Sequence, residues 1–244
     1  MPAHLRDRHV VVVGGGSGIG HAVAHACLEL GAEVTIASTS ADRVAAAAAR
    51  LGHRARPATV DVTDEDDVRR FFDGLAPVDH LVTTAGDWGG QRSQTLADLD
   101  LEAGRAMFDV RFWGALALAK HGADRITADG SITLTNGMIG ANPRKGSLVS
   151  TAVAGSIEHV ARALSIEVSP VRVNVVCPGV TSTGGWETLA PEDREARRGA
   201  IARTHLIPRP AEPDEVVQAY LYLMLGGYTT GQVIRVEGGS TLGG

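Results

Sequence analysis

The chain has 244 residues, 44% hydrophobic and 21% charged, with a net charge of −5 and a pI near 6.0. No basic surplus points to nucleic acid, no apolar run reaches the length of a membrane span, and the N-terminus lacks the apolar core of a signal segment. Two cysteines, Cys27 and Cys177, make neither a disulfide framework nor a metal-ligand spacing, so a metal-free cytoplasmic protein of enzyme size is expected.

In chain order, the first strong signal is His9-Val10-Val11-Val12-Val13 followed by Gly14-Gly15-Gly16-Ser17-Gly18-Ile19-Gly20. The valine run reads as a strand covered on both faces, as in a parallel sheet. The glycines allow a tight turn and close approach of backbone to a ligand. His21 to Leu30 has helical spacing and stops at Gly31, a C′ glycine. Strand, glycine turn and helix N-terminus together aim free N–H groups and a positive dipole end at a phosphate.

Ala32 to Ser38 follows as a second strand, and Ala41 to Leu51, with five consecutive alanines, as a helix. A short third strand is expected at Ala58-Thr59-Val60-Asp61-Val62, and a helix with an acidic first turn from Thr63. Asp79 to Thr84 reads as the fourth strand, and Leu96 to Gly122 as one long helical segment. A fifth strand is expected at Gly130–Thr135, a helix at Ser150–Glu167, a sixth strand at Val171–Val176 and a seventh at Gln232–Val236. Strands alternating with helices predict a single α/β domain: a Rossmann-type doubly wound sheet of about seven parallel strands with helices on both faces. One segment, at about 180–213, breaks the alternation. It is rich in Gly, Pro, Arg and Glu, with a helical piece around Pro191–Arg203, and reads as a substrate loop or lid; a solvated surface excursion is the alternative.

With these segments in this order, the chain resembles the short-chain dehydrogenase/reductase family over nearly its whole length. Gly14, Gly16, Ser17, Gly18, Ile19 and Gly20 stand at the family's cofactor loop, and Asp61-Val62 at its adenine contact. Thr83-Thr84-Ala85-Gly86 replaces the usual Asn-Asn-Ala-Gly. Pro178-Gly179 with Thr181 and Thr183 matches the segment beside the nicotinamide, and Val236-Glu237-Gly238-Gly239 the closing strand and turn. The resemblance implies a Rossmann fold, a nicotinamide cofactor, a small-molecule substrate and a homodimer or homotetramer. Phe108, Phe112, Trp113, Leu116 and Leu118 place apolar side chains on more than one face of the long helix, which suits burial against a second copy or against the sheet.

Cofactor choice is readable at the end of the second strand. An acid there would bind the ribose hydroxyls of NAD and repel a 2′-phosphate. The chain has Ser38, Thr39 and Ser40 there, with Arg43 just beyond, a set of hydroxyls and a cation that suits NADP(H), NADPH in the reducing direction. NAD remains the other option if Arg43 is only a solvated first-turn residue.

The family's catalytic positions do not match. Its Asn, Ser, Tyr and Lys align with Arg111, Gly137, Ser150 and Ala154, and no tyrosine precedes Tyr220. A serine hydroxyl without a partner base cannot stand in for a phenol near neutral pH. The remaining candidates are Arg111 as an oxyanion donor or a structural ion pair with Asp109 or Glu158, Asn136 and Ser150 as carbonyl donors or as backbone caps, and His205 in the lid as a proton donor or a solvated imidazole. Asp87 and Trp88 could border the pocket. His159 is expected to be partly buried, and Tyr220 and Tyr222 to lie in the core. Three function classes fit: an NADP(H)-dependent oxidoreductase with a non-standard proton source, a non-redox isomerase, dehydratase or cyclase, and a catalytically silent cofactor-binding protein.

Overall fold

A computed structural model of the chain describes residues 4–86 and 94–243. Its strands are β1 (His9–Val13), β2 (Glu33–Ser38), β3 (Ala55–Thr59), β4 (Val78–Thr83), β5 (Ile126–Thr135), β6 (Arg172–Pro178) and β7 (Val233–Val236). They form one parallel sheet of order β3-β2-β1-β4-β5-β6-β7. The helices are α1 (Gly18–Glu29), α2 (Ala41–Leu51), α3 (Glu65–Asp73), α4 (Leu101–Phe108), α5 (Gly114–Gly122), α6 (Leu148–Glu167), α7 (Gly184–Glu187), α8 (Pro191–Thr204) and α9 (Pro213–Leu225).

The valine run explains the layering. Val10 and Val12 face one core with Val23, Cys27, Ile36 and Tyr220, from α1, β2 and α9. Val11 and Val13 face the other, with Phe72, Leu118, Ile132 and Ile157, from α3, α5, β5 and α6. Alternating side chains of a strand buried on both faces thus serve two cores at once. Each fully buried valine contributes roughly 1.5–3 kcal/mol over leaving it exposed.

Several boundaries differ from the sequence expectation. β3 is Ala55–Thr59 because those residues pair in register with Val34–Ser38, so Asp61 lies past the strand. β5 starts at Ile126, ahead of an irregularity in its pairing with β4. The expected long helix is broken into a 3₁₀ turn at Leu96–Asp98, α4, a π turn at Asp109–Trp113, and α5. α6 begins at Leu148, after Ser147, so Ser150 is in its first turn and is not the cap. Tyr220 is fully buried, its hydroxyl 2.7 Å from Thr135 Oγ1. Tyr222, by contrast, is 54% exposed, because it falls on the solvent face of α9. His159 is also exposed, with a ring nitrogen 2.9 Å from the Gly155 carbonyl.

Candidate active site

Strand order reverses between β1 and β4, the switch point where ligands of such sheets bind. The two strand exits are joined there: Thr84 N and Ala85 N both donate to Val13 O, at 2.8 and 3.1 Å. Gly14 has φ +93°, and a Cβ on it would lie 2.5 Å from Thr84 Oγ1. On Gly20 a Cβ would run into Gly14 O and Thr84 Oγ1. These glycines are therefore required by close packing. Ser17 precedes α1 without a side-chain cap bond, and the first turn carries no acid. The leading N–H groups of α1 are thus left to an anion.

The residues also fit the rest of a dinucleotide. A Cβ on Gly16 would be 3.3 Å from Arg43 Cγ and Cδ and 3.7 Å from Ser38 Oγ, so the hydroxyl and the arginine stem border the glycine turn. Ser40 is occupied as the N-cap of α2, accepting from Arg43 N at 3.3 Å, and Thr39 is exposed. Asp61 closes a turn, its Oδ1 accepting from Thr63 N and Oγ1 at 2.9 and 2.7 Å. These hydrogen bonds hold its carboxyl below the usual range. Val62 packs beneath Gly114, whose Cβ would be 2.7 Å from Val62 Cγ2. On the far side, Thr183 approaches Gly18: a Cβ there, at φ +56°, would be 3.7 Å from Thr183 Cγ2. Thr181 is buried and donates to Gly179 O at 3.1 Å. Pro178 closes β6 beside Gly179, and Ile19 packs against the core under α1.

The catalytic candidates are distributed differently. Arg111, 8% exposed, sits in the π turn and donates from Nη2 to Gly86 O at 2.7 Å. Glu158, one of its expected partners, pairs instead with Arg235 at 3.3 Å. Asn136 is buried below the strand end: Nδ2 donates to Ala154 O at 2.9 Å and to Glu158 Oε1 at 3.5 Å. Its donors are spent on α6, which argues against a carbonyl donor. Ser150 Oγ donates to Ser147 O at 3.1 Å. Ala154 is fully buried, and a Cβ on Gly140 would lie 2.9 Å from its methyl. Cys177, also fully buried, is pushed up to about 12, first by burial and then by Glu158. His205 lines a small cavity with Gly179, Ile207, Arg209, Glu215 and Glu237, and Arg111, Asn136 and Ser150 do not line that cavity. Asp87 and Trp88 lie outside the described residues. Sequence reading missed the Glu158–Arg235 pair and the Gly140–Ala154 contact, because neither has a local signature. No His/Cys/Asp/Glu group among the described residues could hold a metal, and no helix among them is long and apolar enough to cross a membrane.

A family model described as Enoyl-(Acyl carrier protein) reductase matches residues 14–241. The short-chain dehydrogenase/reductase ATR9 of Stachybotrys chlorohalonatus is 32% identical over 99% of this chain and 100% of its own. The chain belongs to the short-chain dehydrogenase/reductase family. Among solved structures, the MalC reductase/Diels–Alderase of Malbranchea aurantiaca superposes with a TM-score of 0.90 at 29% identity, covering 98% of each chain. An NADPH-bound short-chain oxidoreductase of Pseudomonas aeruginosa, described as containing an atypical catalytic center, gives 0.87 at 28% identity, again over 98% of each chain. The fold is the one the sequence predicts, and the family is one of oxidoreductases.

Proposed function

We propose that this oxidoreductase binds NADP(H) at the β1–β4 switch point and acts on a carbonyl or alcohol substrate without the family's phenol–ammonium pair. The observation that carries this reading is α6, which presents Ser150 and a fully buried Ala154 where the family's Tyr and Lys would stand. The glycine turn and leading N–H groups of α1 would hold the pyrophosphate, Ser38 and Arg43 the 2′-phosphate, and Thr181 and Thr183 the nicotinamide side. Asp61 and Val62 would border the adenine. When bound, the nicotinamide supplies the hydride. Arg111 would place a permanent positive charge beside the strand exits, where it can stabilise a developing oxyanion. Water then serves as the proton source, since Ser150 has no partner base among the described residues and His205 lines the cavity at Gly179 and Glu237.

A second reading is favoured by the likeness to MalC, whose description couples a reductase to a Diels–Alderase. In it, the pocket catalyses a non-redox isomerisation, dehydration or cyclisation, with the dinucleotide as scaffold; a silent binding protein is the limiting case. NADPH oxidation against a panel of ketones, aldehydes and quinones separates them. Turnover that disappears in Gly18→Arg supports the oxidoreductase. Cofactor binding with no turnover across the panel supports the second reading.

Two further features belong to this proposal. Of the long-helix residues, Leu118 is buried in the core and Phe112 packs against it, while Trp113 is 59% exposed; with Leu101 on α4 and Leu148 on α6, 63% and 51% exposed, it offers apolar surface for a homodimer or homotetramer, and a monomer in light scattering would contradict that reading. Both thiols are buried and unpaired, in keeping with a reducing cytoplasmic setting.

A further inference from the structure

Three consecutive residues join the glycine turn to the buried arginine. Thr84 is held at one end: its N donates to Val13 O at 2.8 Å and its Oγ1 to the same oxygen at 3.4 Å. That hydroxyl occupies the space between Gly14 and Gly20, so that a Cβ on either glycine would strike it. Gly86 is held at the other end. It has φ +131°, its carbonyl accepts from Arg111 Nη2 at 2.7 Å, and a Cβ on it would lie 2.8–2.9 Å from Arg111 Cγ, Cζ and Nε. The arginine side chain therefore lies flat across the Gly86 backbone. Ala85 between them is tied to Val13 O at 3.1 Å. Arg111 reaches Gly86 from a π turn, a geometry that is rare and concentrated at functional sites.

We propose that Thr84-Ala85-Gly86 is a rigid strut, with Thr84 as a positioning residue, through which the glycine turn and the Arg111 guanidinium fix one another's place. Each end is a close-packed contact: Thr84 Oγ1 against Gly14 and Gly20, and the Arg111 side chain against Gly86. A shift of Gly14 or Gly20 displaces Thr84, and the doubly bonded Thr84–Ala85 pair passes the displacement to Gly86 and its clasp. A dinucleotide that orders the glycine turn would thereby set the guanidinium. This inference rests on the cofactor site proposed above, but the mechanical link does not require cofactor.

The test is a double-mutant cycle on Thr84→Val and Arg111→Met, read two ways on the full chain. In the first, NADPH binding is followed by calorimetry. Thr84→Val puts a methyl where the hydroxyl is wedged and weakens NADPH, Thr84→Ser restores it to within about threefold, and the double variant falls short of the product of the singles by roughly threefold or more. In the second, urea unfolding of the protein without cofactor gives the same shortfall in the unfolding constant. Should Thr84→Val or Arg111→Met fail to fold, Thr84→Ala, which also removes the hydroxyl, and Arg111→Lys run the same cycle. If the wild type binds no NADPH, the functional reading falls, while the unfolding cycle still decides the strut. Effects that multiply in both readouts, or a Thr84→Ser variant as impaired as Thr84→Val, would overturn it.

Discussion

The two sides of the sheet's C-terminal edge are built to different standards. Around β1 and β4 the backbone is packed close and left open to an anion: glycines with no room for a Cβ, a helix start without an acid, and an arginine stem against the turn. Around β5 and α6 the polar groups turn inward. Asn136 spends its amide on Ala154 O and Glu158, Ser150 bonds its own helix, and Gly140 closes on the Ala154 methyl. The contrast lies in where the constraints act: on the β1–β4 side they hold the backbone at the glycine turn, and on the β5–α6 side they hold side chains to their own helix and core.

The sharpest way to break that contrast is at Gly20. Gly20→Ala is expected to weaken NADPH by on the order of 100-fold or more, since its methyl must displace Gly14 O and Thr84 Oγ1, an overpacking cost of about 1–3 kcal/mol added to the lost phosphate geometry. Binding within about threefold of wild type would show that the turn is not under this constraint.

A pH series distinguishes both sides from the sheet interior they share. His80 on β4 is buried, with Nδ1 2.9 Å from Ser131 Oγ, and burial pushes it down to about 4. The unfolded chain therefore takes up this proton first, and stability falls as pH drops from about 6.5 to about 4, by up to about 3 kcal/mol. Urea midpoints should follow that window, and His80→Gln should flatten it; an unchanged slope would assign the acid sensitivity elsewhere. At lower pH, Asp129, held at about 2 first by hydrogen bonds from Arg8 and Thr127, adds a second loss between about 4 and 2.

On α6 the expected effects are small and of opposite kinds. Gly155→Ala meets nothing within 4 Å, so it should stabilise the helix by about 0.5–1 kcal/mol, read as a higher urea midpoint. Ser150→Ala should change kcat by less than about threefold, because its hydroxyl donates to the Ser147 carbonyl of its own helix and finds no base among the described residues. A larger fall would restore Ser150 to the chemistry.

How much of this was legible in the sequence follows from where each constraint acts. The glycine turn and α2 were readable because their signals are local: the glycines announce close approach, and five consecutive alanines mark a helix whose ends Ser40 and Gly52 fix in the structure. β3 was placed three residues late, because an edge strand with Pro57 and exposed Arg56 lacks alternation and takes its register from β2. The π turn left no local mark, so Leu96–Gly122 read as continuous. Asn136 read equally as a carbonyl donor or as a backbone partner; the choice is made by the Ala154 carbonyl and by Glu158, itself held by Arg235, all distant in sequence.

Selection of a phosphorylated dinucleotide by the β1–β4 side is open to a direct test. Calorimetric titration of the wild type and Arg43→Ala with NADPH and NADH tests it directly. A charge-assisted contact of about 1.5–3 kcal/mol predicts NADPH tighter than NADH by roughly tenfold or more, with that advantage lost in Arg43→Ala. Equal affinities in the wild type, or a preference for NADH, would contradict it.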